Sequence, residues 1–284
     1  VDGASPGVNI AMQSDVTIGN LSAIVSDTSG LGRSGGIEIS ARNITVQGGS
    51  LIITGSGADA QVGQAGNISL VASDSVRVSG ADEFGGPSSI LSAAGANTAD
   101  SRGDTGSILI QAPSVTLSDG GMISTLAQAI GRAGDITVDA TNLNILGGGE
   151  LGTVGAGIDS SSGNITVRAT DTVTISGQLN PDTLSKISNR VDGSNLGTQG
   201  DVSINARSII LGDQGQIRSE NFGQGGGGSG NVTLEAAESI TMSSGARIVT
   251  KANYTTVGGI NLSAPLITVD HATIFARSVN EFQG

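Results

Sequence analysis

One phrase recurs from end to end of this chain: a turn, an apolar-x-apolar pair, a short polar link, a second pair, a glycine-rich step and a third pair. The first anchors are Val8, Ile37, Ile68, Ile108, Ile136, Ile165, Val202, Val232 and Ile260. They recur at a nearly constant interval, with longer steps only before Ile108 and Val202. The second anchors are Val16, Ile44, Val76, Val115, Leu143, Val173, Ile209, Ile240 and Ile267, each one short and nearly constant step after the first. The third are Ile24, Ile52, Ile90, Ile123, Leu151, Ile187, Ile217, Ile248 and Ile274. They follow the second by the same short step, except in the third and sixth repeats, where the step nearly doubles. A repeat this short cannot bury its own apolar face, so the repeats must stack and bury one another.

The local pattern decides which kind of stack. Ile165-Thr166-Val167 and Ile240-Thr241-Met242 have the period of a strand with one buried face. Glycine, 46 of 284 residues, is too dense for helical stripes, because each interior glycine costs a helix roughly 1 kcal/mol against alanine. The expected fold is therefore all-β: a single-stranded parallel β-helix of about nine rungs, each of three short strands. Right-handed coiling is expected from the usual hand of parallel crossovers. Nine rungs at about 4.7–4.9 Å each make a rod roughly 40 Å long. The repeats leave no room for a second domain, so residues 1–284 read as one β-helix. The 2% aromatic content fits a narrow interior of aliphatic columns. Ser26, Thr54, Ser92, Thr125, Thr153, Ser219 and Thr250, two places after the third anchor, suggest a hydroxyl ladder beside them. Asn67, Ser107, Asp135, Asn164, Asp201 and Asn231, just before the first anchor, suggest a corner ladder.

The phrases Ala65-Gly66-Asn67-Ile68, Ala133-Gly134-Asp135-Ile136 and Gly121-Met122-Ile123-Ser124-Thr125 resemble the filamentous-haemagglutinin-like exoproteins, bacterial two-partner-secretion products, and most of all their cyanobacterial relatives. The resemblance covers all nine repeats, but its motifs chiefly encode the β-helix. It implies secretion across an outer membrane, an extracellular or cell-surface location, and a role as adhesin, fibre or matrix component. It carries over no functional residue, because the matching positions are scaffold positions.

Composition removes other classes. A net charge of −12 offers phosphates no basic field, so nucleic acid is not an expected partner. No apolar window is long enough for a membrane helix, so membrane insertion is not expected. With no cysteine and one histidine, thiolate and histidine-rich metal sites are excluded, and no cofactor is expected. Neither the Gly-Gly-x-Gly-x-Asp nonapeptide nor an EF-hand loop recurs to hold calcium. The G-x-G-x-x-G match at residues 147–152 lacks a following helix, and the seven N-x-S/T sequons follow from the rung phrase Gly-Asn-Ile-Thr.

The longer third and sixth repeats place short insertions near 81–89 and 177–186. Both should leave the rod at one corner, three rungs and roughly 14–15 Å apart. They bound the candidate binding patch of Asp82, Glu83, Phe84, Asp182 and Lys186. No catalytic residue is assigned. A glycan-cleaving enzyme would need paired carboxylates or a carboxylate with a base. The nearest candidates, Asp100 and Asp104 with Arg102, and Asp182 with Lys186, sit in loops where charges are ordinarily solvated. His271 reads as a surface or turn residue, since Asp270 beside it on a strand would point to the other face.

The expected function is thus an extracellular structural or adhesive rod, with polysaccharide binding or cleavage as the alternative. A β-helix leaves unpaired strand edges at both ends. Here the repeat begins at Val8 and runs to Ile274, with Phe275 and Phe282 as the material for a small lid. The chain is therefore expected to be a segment of a longer one or a unit of a filament. Its expected partners are further chain of the same protein, a second copy stacked end to end, or a cell-surface glycan.

Overall fold

A computed structural model describes residues 6–28, 32–56, 63–95, 102–128, 130–192, 197–223, 227–253 and 255–279. Among them there is no helix, and the strands form a parallel β-solenoid nine layers deep, so eight turns separate first from last. Register follows the anchors residue for residue. Val8, Ile37, Ile68, Ile108, Ile136, Ile165, Val202, Val232 and Ile260 are consecutive partners in one sheet. The second anchors, from Val16 through Leu143 to Ile267, pair in the same sheet. The third anchors, from Ile24 through Leu151 to Ile274, form the other large sheet, called the third sheet after the third segments that build it.

The rungs differ from three separate strands in one respect. In the seven inner layers the first two segments fuse into one strand of 11 or 12 residues, such as Ile37–Gln47 or Ile68–Ser79. Ile37, Ile39 and Ala41 face inward, and then Ile44 and Val46 do, so the alternation breaks at Arg42-Asn43. The register shifts at the same place. In this layer a flat strand would send one anchor set outward, because Ile37 and Ile44 are an odd step apart and the side-chain period is two. The bend at this corner keeps both inside. An alanine column marks it, with Ala41 opposite Ala72 and Ala206 opposite Ala236.

All the anchors of layers two to eight are 0–1% exposed. Each such aliphatic side chain contributes about 1.5–3 kcal/mol over its exposed state. Among the described residues the end layers have a neighbour on one side only: Ile267 is 42% and Ile274 37% exposed. Phe275 lies on the outer side of the last layer, and Phe282 is outside the described residues.

Six of the seven ladder hydroxyls donate to a glycine column two places before the first anchor, and Ser26 Oγ, in the first layer, has no hydrogen-bond partner among the described residues. Thr54 donates to the Gly66 carbonyl at 2.6 Å, Thr125 to Gly134 at 2.7 Å, Ser219 to Gly230 at 2.9 Å and Thr250 to Gly258 at 2.8 Å. In layer six the position is Asn189, whose amide donates to Gly163 and Gly200, each at 2.7 Å. A side chain on Gly66, Gly106, Gly134, Gly163, Gly200, Gly230 or Gly258 would overlap the carbonyl oxygen of the glycine one layer earlier. The corner ladder ties layers together as well. Asn67, Asp135, Asn164 and Asp201 accept the backbone N–H of their equivalents one layer on, at 2.7–3.0 Å.

Candidate functional site

Both insertions leave the solenoid at the turn between second and third segments and are closed in the same way. Gly80 (φ 77°) and Gly177 (φ 83°) open them in the left-handed region that glycine tolerates. Ser88 N–H donates to the Gly80 carbonyl at 2.9 Å, and Ser185 N–H to that of Gly177 at 3.0 Å. The hydroxyl of Ser88 donates to the Ser79 carbonyl at 2.8 Å, and that of Ser185 to Ser176 at 2.7 Å. Each also accepts an N–H from the layer before, Gly49 and Gly148 respectively, both at 3.0 Å. Two buried serines thus rivet the two loops to the rod.

Beyond the rivets the loops diverge. In the first, Asp82 turns inward and accepts the N–H groups of Phe84 at 2.8 Å and Gly86 at 2.7 Å, leaving Glu83 exposed and Phe84 85% exposed. The second is a small antiparallel hairpin, Gln178–Asn180 with Thr183–Leu184, and exposed Asp182 is in its turn. Leu179 of that hairpin packs over Gly148 and Gly120, so it leans across layers five and four. Of the five predicted residues, Glu83, Phe84 and Asp182 are therefore on loop surfaces, and Asp82 braces its own turn. Lys186 stands on the outer face of the third sheet, paired with Glu150 at 3.1 Å.

The other candidates have structural partners. Asp104 accepts the Arg132 N–H at 2.7 Å, and Asp100 lies outside the described residues. Asp270 and His271 do meet, with Nδ1 2.6 Å from Oδ1. The strand argument fails there because His271 occupies a turn at φ 49°, where alternation does not apply, and its side chain is 87% exposed. Residues 147–152 turn at Gly147 and Gly148 and run straight into the strand Glu150–Gly155. Among the described residues, no three histidine or carboxylate side chains are grouped to hold a metal ion.

Two shallow grooves run along the outer side of the first segments. One, of about 670 Å³, is lined by Thr166, Arg168, Thr170, Ser203, Asn205 and Arg207. The other, of about 480 Å³, is lined by Glu38, Asn67, Ser69, Ser107, Leu109 and Thr137. Their hydroxyls and amides can hydrogen-bond a ligand, while the arginines of the larger groove are already paired. Arg168 meets Asp139 at 3.1 Å, and Arg207 bridges Asp171 and Glu238 at 3.4 and 3.3 Å.

A third feature escapes sequence reading. On the outer face of the third sheet, layers six to nine carry Lys186, Arg190, Arg218, Arg247, Lys251 and Arg277, six of the thirteen cations of the chain. Glu150, Asp192 and Glu220 pair with Lys186, Arg190 and Arg218 at 3.1, 2.5 and 3.1 Å. Arg247, Lys251 and Arg277 have no carboxylate in ion-pair contact among the described residues. The Phe222 ring lies between Arg190 and Lys251, 5.1 and 4.8 Å from its centroid. Neighbours across this patch are a whole turn apart in sequence, and only the register Arg190–Glu220–Lys251–Arg277 reveals it.

No family model, curated protein or solved structure matches this chain.

Proposed function

We propose that this chain is an extracellular structural and adhesive element of a bacterial surface, acting as a rigid rod or as the unit of a fibre. The observation that carries this reading is the unbroken register of all three core columns through nine layers. Polar side chains reinforce it by tying each layer to the next, as Asp135 does to Asn164 and Asp201 to Asn231. Among the described residues the end layers present aliphatic columns and strand edges with one paired side, which a layer of a second copy would cover. Copies joined head to tail make a heterologous contact that does not close, which yields a filament.

Electron microscopy of the native material at several dilutions, beside an intact mass, tests the rod. Rods in multiples of about 40 Å, built from chains of 27.9 kDa, are expected from end-to-end stacking. Single short particles at every dilution reject the filament.

The two grooves, along layers two to five and six to eight, combine apolar floors with flanking hydroxyls and amides, which favours a second reading, polysaccharide binding on the same scaffold, with cleavage as its stronger form. A glycan array followed by a reducing-end assay separates binder from enzyme.

A further inference from the structure

We propose that the outer face of the third sheet in layers six to nine binds a linear polyuronate, lying along the rod axis. The site is a cationic strip on a chain whose net charge is −12, with Arg247, Lys251 and Arg277 free of carboxylate partners among the described residues. Its geometry is set by the sheet. Arg190, Glu220, Lys251 and Arg277 occupy one register column on consecutive layers, and Lys186, Gln216 and Arg247 occupy another. Layers repeat every 4.7–4.9 Å or so, hence cations recur along the axis at roughly 5–10 Å. A polyuronate carries one carboxylate per sugar ring, a spacing of that order, and guanidinium groups take carboxylates in a bidentate fork.

The aromatic rings add to the strip. Phe222 draws the heads of Arg190 and Lys251 onto its ring from the layers on either side through cation–π contact. Phe275, 37% exposed and one register step beyond Val249, offers a ring to the apolar side of a sugar. A neutral glycan could accept hydrogen bonds from these groups but would gain no ion pairing from them. Duplex DNA, with one charge per about 1.7 Å of axis, would require a wider basic surface than this strip, and the rest of the chain repels it. The occupant that matches is narrow, anionic and sparsely charged.

This inference gives the adhesive reading a partner and rests on that reading for its setting, but it does not depend on end-to-end stacking. Rods without polyuronate binding overturn it alone, and binding without rods overturns the filament alone. The experiment is titration of the whole chain with polygalacturonate at low salt, beside dextran, duplex DNA and anionic phosphatidylserine vesicles. Saturable binding to polygalacturonate only is expected, weakening steadily with added salt. The triple variant Arg247→Gln, Lys251→Gln, Arg277→Gln should lose at least tenfold in affinity. A control triple with the same change in net charge, Arg33→Gln, Arg77→Gln, Arg102→Gln, should bind as the parent does. Circular dichroism and thermal midpoints verify that each variant is folded. Should the first triple fail to fold, the salt series and the single variant Arg277→Gln on the last layer carry the same test. Equal loss in both triples, binding that ignores salt, or preference for dextran, DNA or vesicles overturns the proposal.

Discussion

The outer face of the third sheet is two surfaces on one scaffold. In layers two to five its outward positions include Leu51, Ile53, Leu91, Met122, Leu126 and Val154, a half-buried aliphatic strip. In layers six to nine the same positions include Lys186, Arg190, Arg218, Arg247, Lys251 and Arg277. Through layer eight the inner side does not change: Ile52, Ile90, Ile123 and Leu151 give way to Ile187, Ile217 and Ile248, all 0% exposed. Inward positions answer to packing and to the buried ladder bonds, so the anchors stay aliphatic and the ladder positions stay hydroxyl or amide. Outward positions are released from that demand, so whatever distinguishes one stretch of the rod from another is written there.

The largest effects test the claim that the interiors are equivalent. Ile123→Ala and Ile217→Ala, one from each stretch, should each cost about 2–5 kcal/mol in urea unfolding. Costs that differ by more than the scatter of that range would mean that the cationic surface alters the core beneath it. Gly134→Ala and Gly230→Ala come next. Each places a methyl group against a backbone carbonyl of the preceding layer, and each should lose about 1–3 kcal/mol by thermal melting.

Smaller effects sharpen the boundary. Glu150 and Lys186 meet where the aliphatic stretch ends, with side chains 26% and 29% exposed. A double-mutant cycle with Glu150→Gln and Lys186→Gln should give a coupling of about 0.2–1 kcal/mol. A larger value would make this pair a structural hinge between the stretches instead of a surface contact. The smallest effect lies outside the third face. The Arg42 guanidinium, at 3.0 Å, and then the Asn43 amide hold the Asp15 carboxyl below its ordinary value. Its stabilising contribution is complete above the ordinary carboxylate range and disappears as pH falls through the lowered value. Asp15→Asn should flatten that acid limb of the stability curve, read by thermal melts between neutral pH and pH about 2.

Much of this architecture is readable in the sequence because its signal is periodic. Every anchor column needs one aliphatic residue per layer, and the spacing alone puts Leu143 on Val173 and Ile217 on Ile248. The fused inner strands are less legible, since residues 42–43 look like a link when the bend that they make is internal to a strand. Asn189 escapes the hydroxyl ladder because it reaches the glycine carbonyls with an amide. The serine rivets at 88 and 185 are legible only once the loops they close are laid on one another. The cationic strip is hidden by whole-chain charge, which averages a basic face into an acidic total. His271 is the exposed turn residue that the sequence suggests, but its contact with Asp270 escapes a strand argument, as the turn that joins them carries no strand pattern.

The glycine column has a consequence for how such a chain can change length. Each glycine is cut to fit the carbonyl one layer before it, and each first anchor sits two places on. Deleting residues 108–135, one full layer, brings Ile136 into the place of Ile108 and leaves Gly106 two places before it. Deleting half as many would slide every downstream glycine, anchor and hydroxyl out of its column together. Apart from loops that leave and rejoin a layer, as near 81–89 and 177–186, the rod can therefore grow or shrink only in quanta of one turn, and duplication and excision of whole turns are the moves that its geometry leaves open.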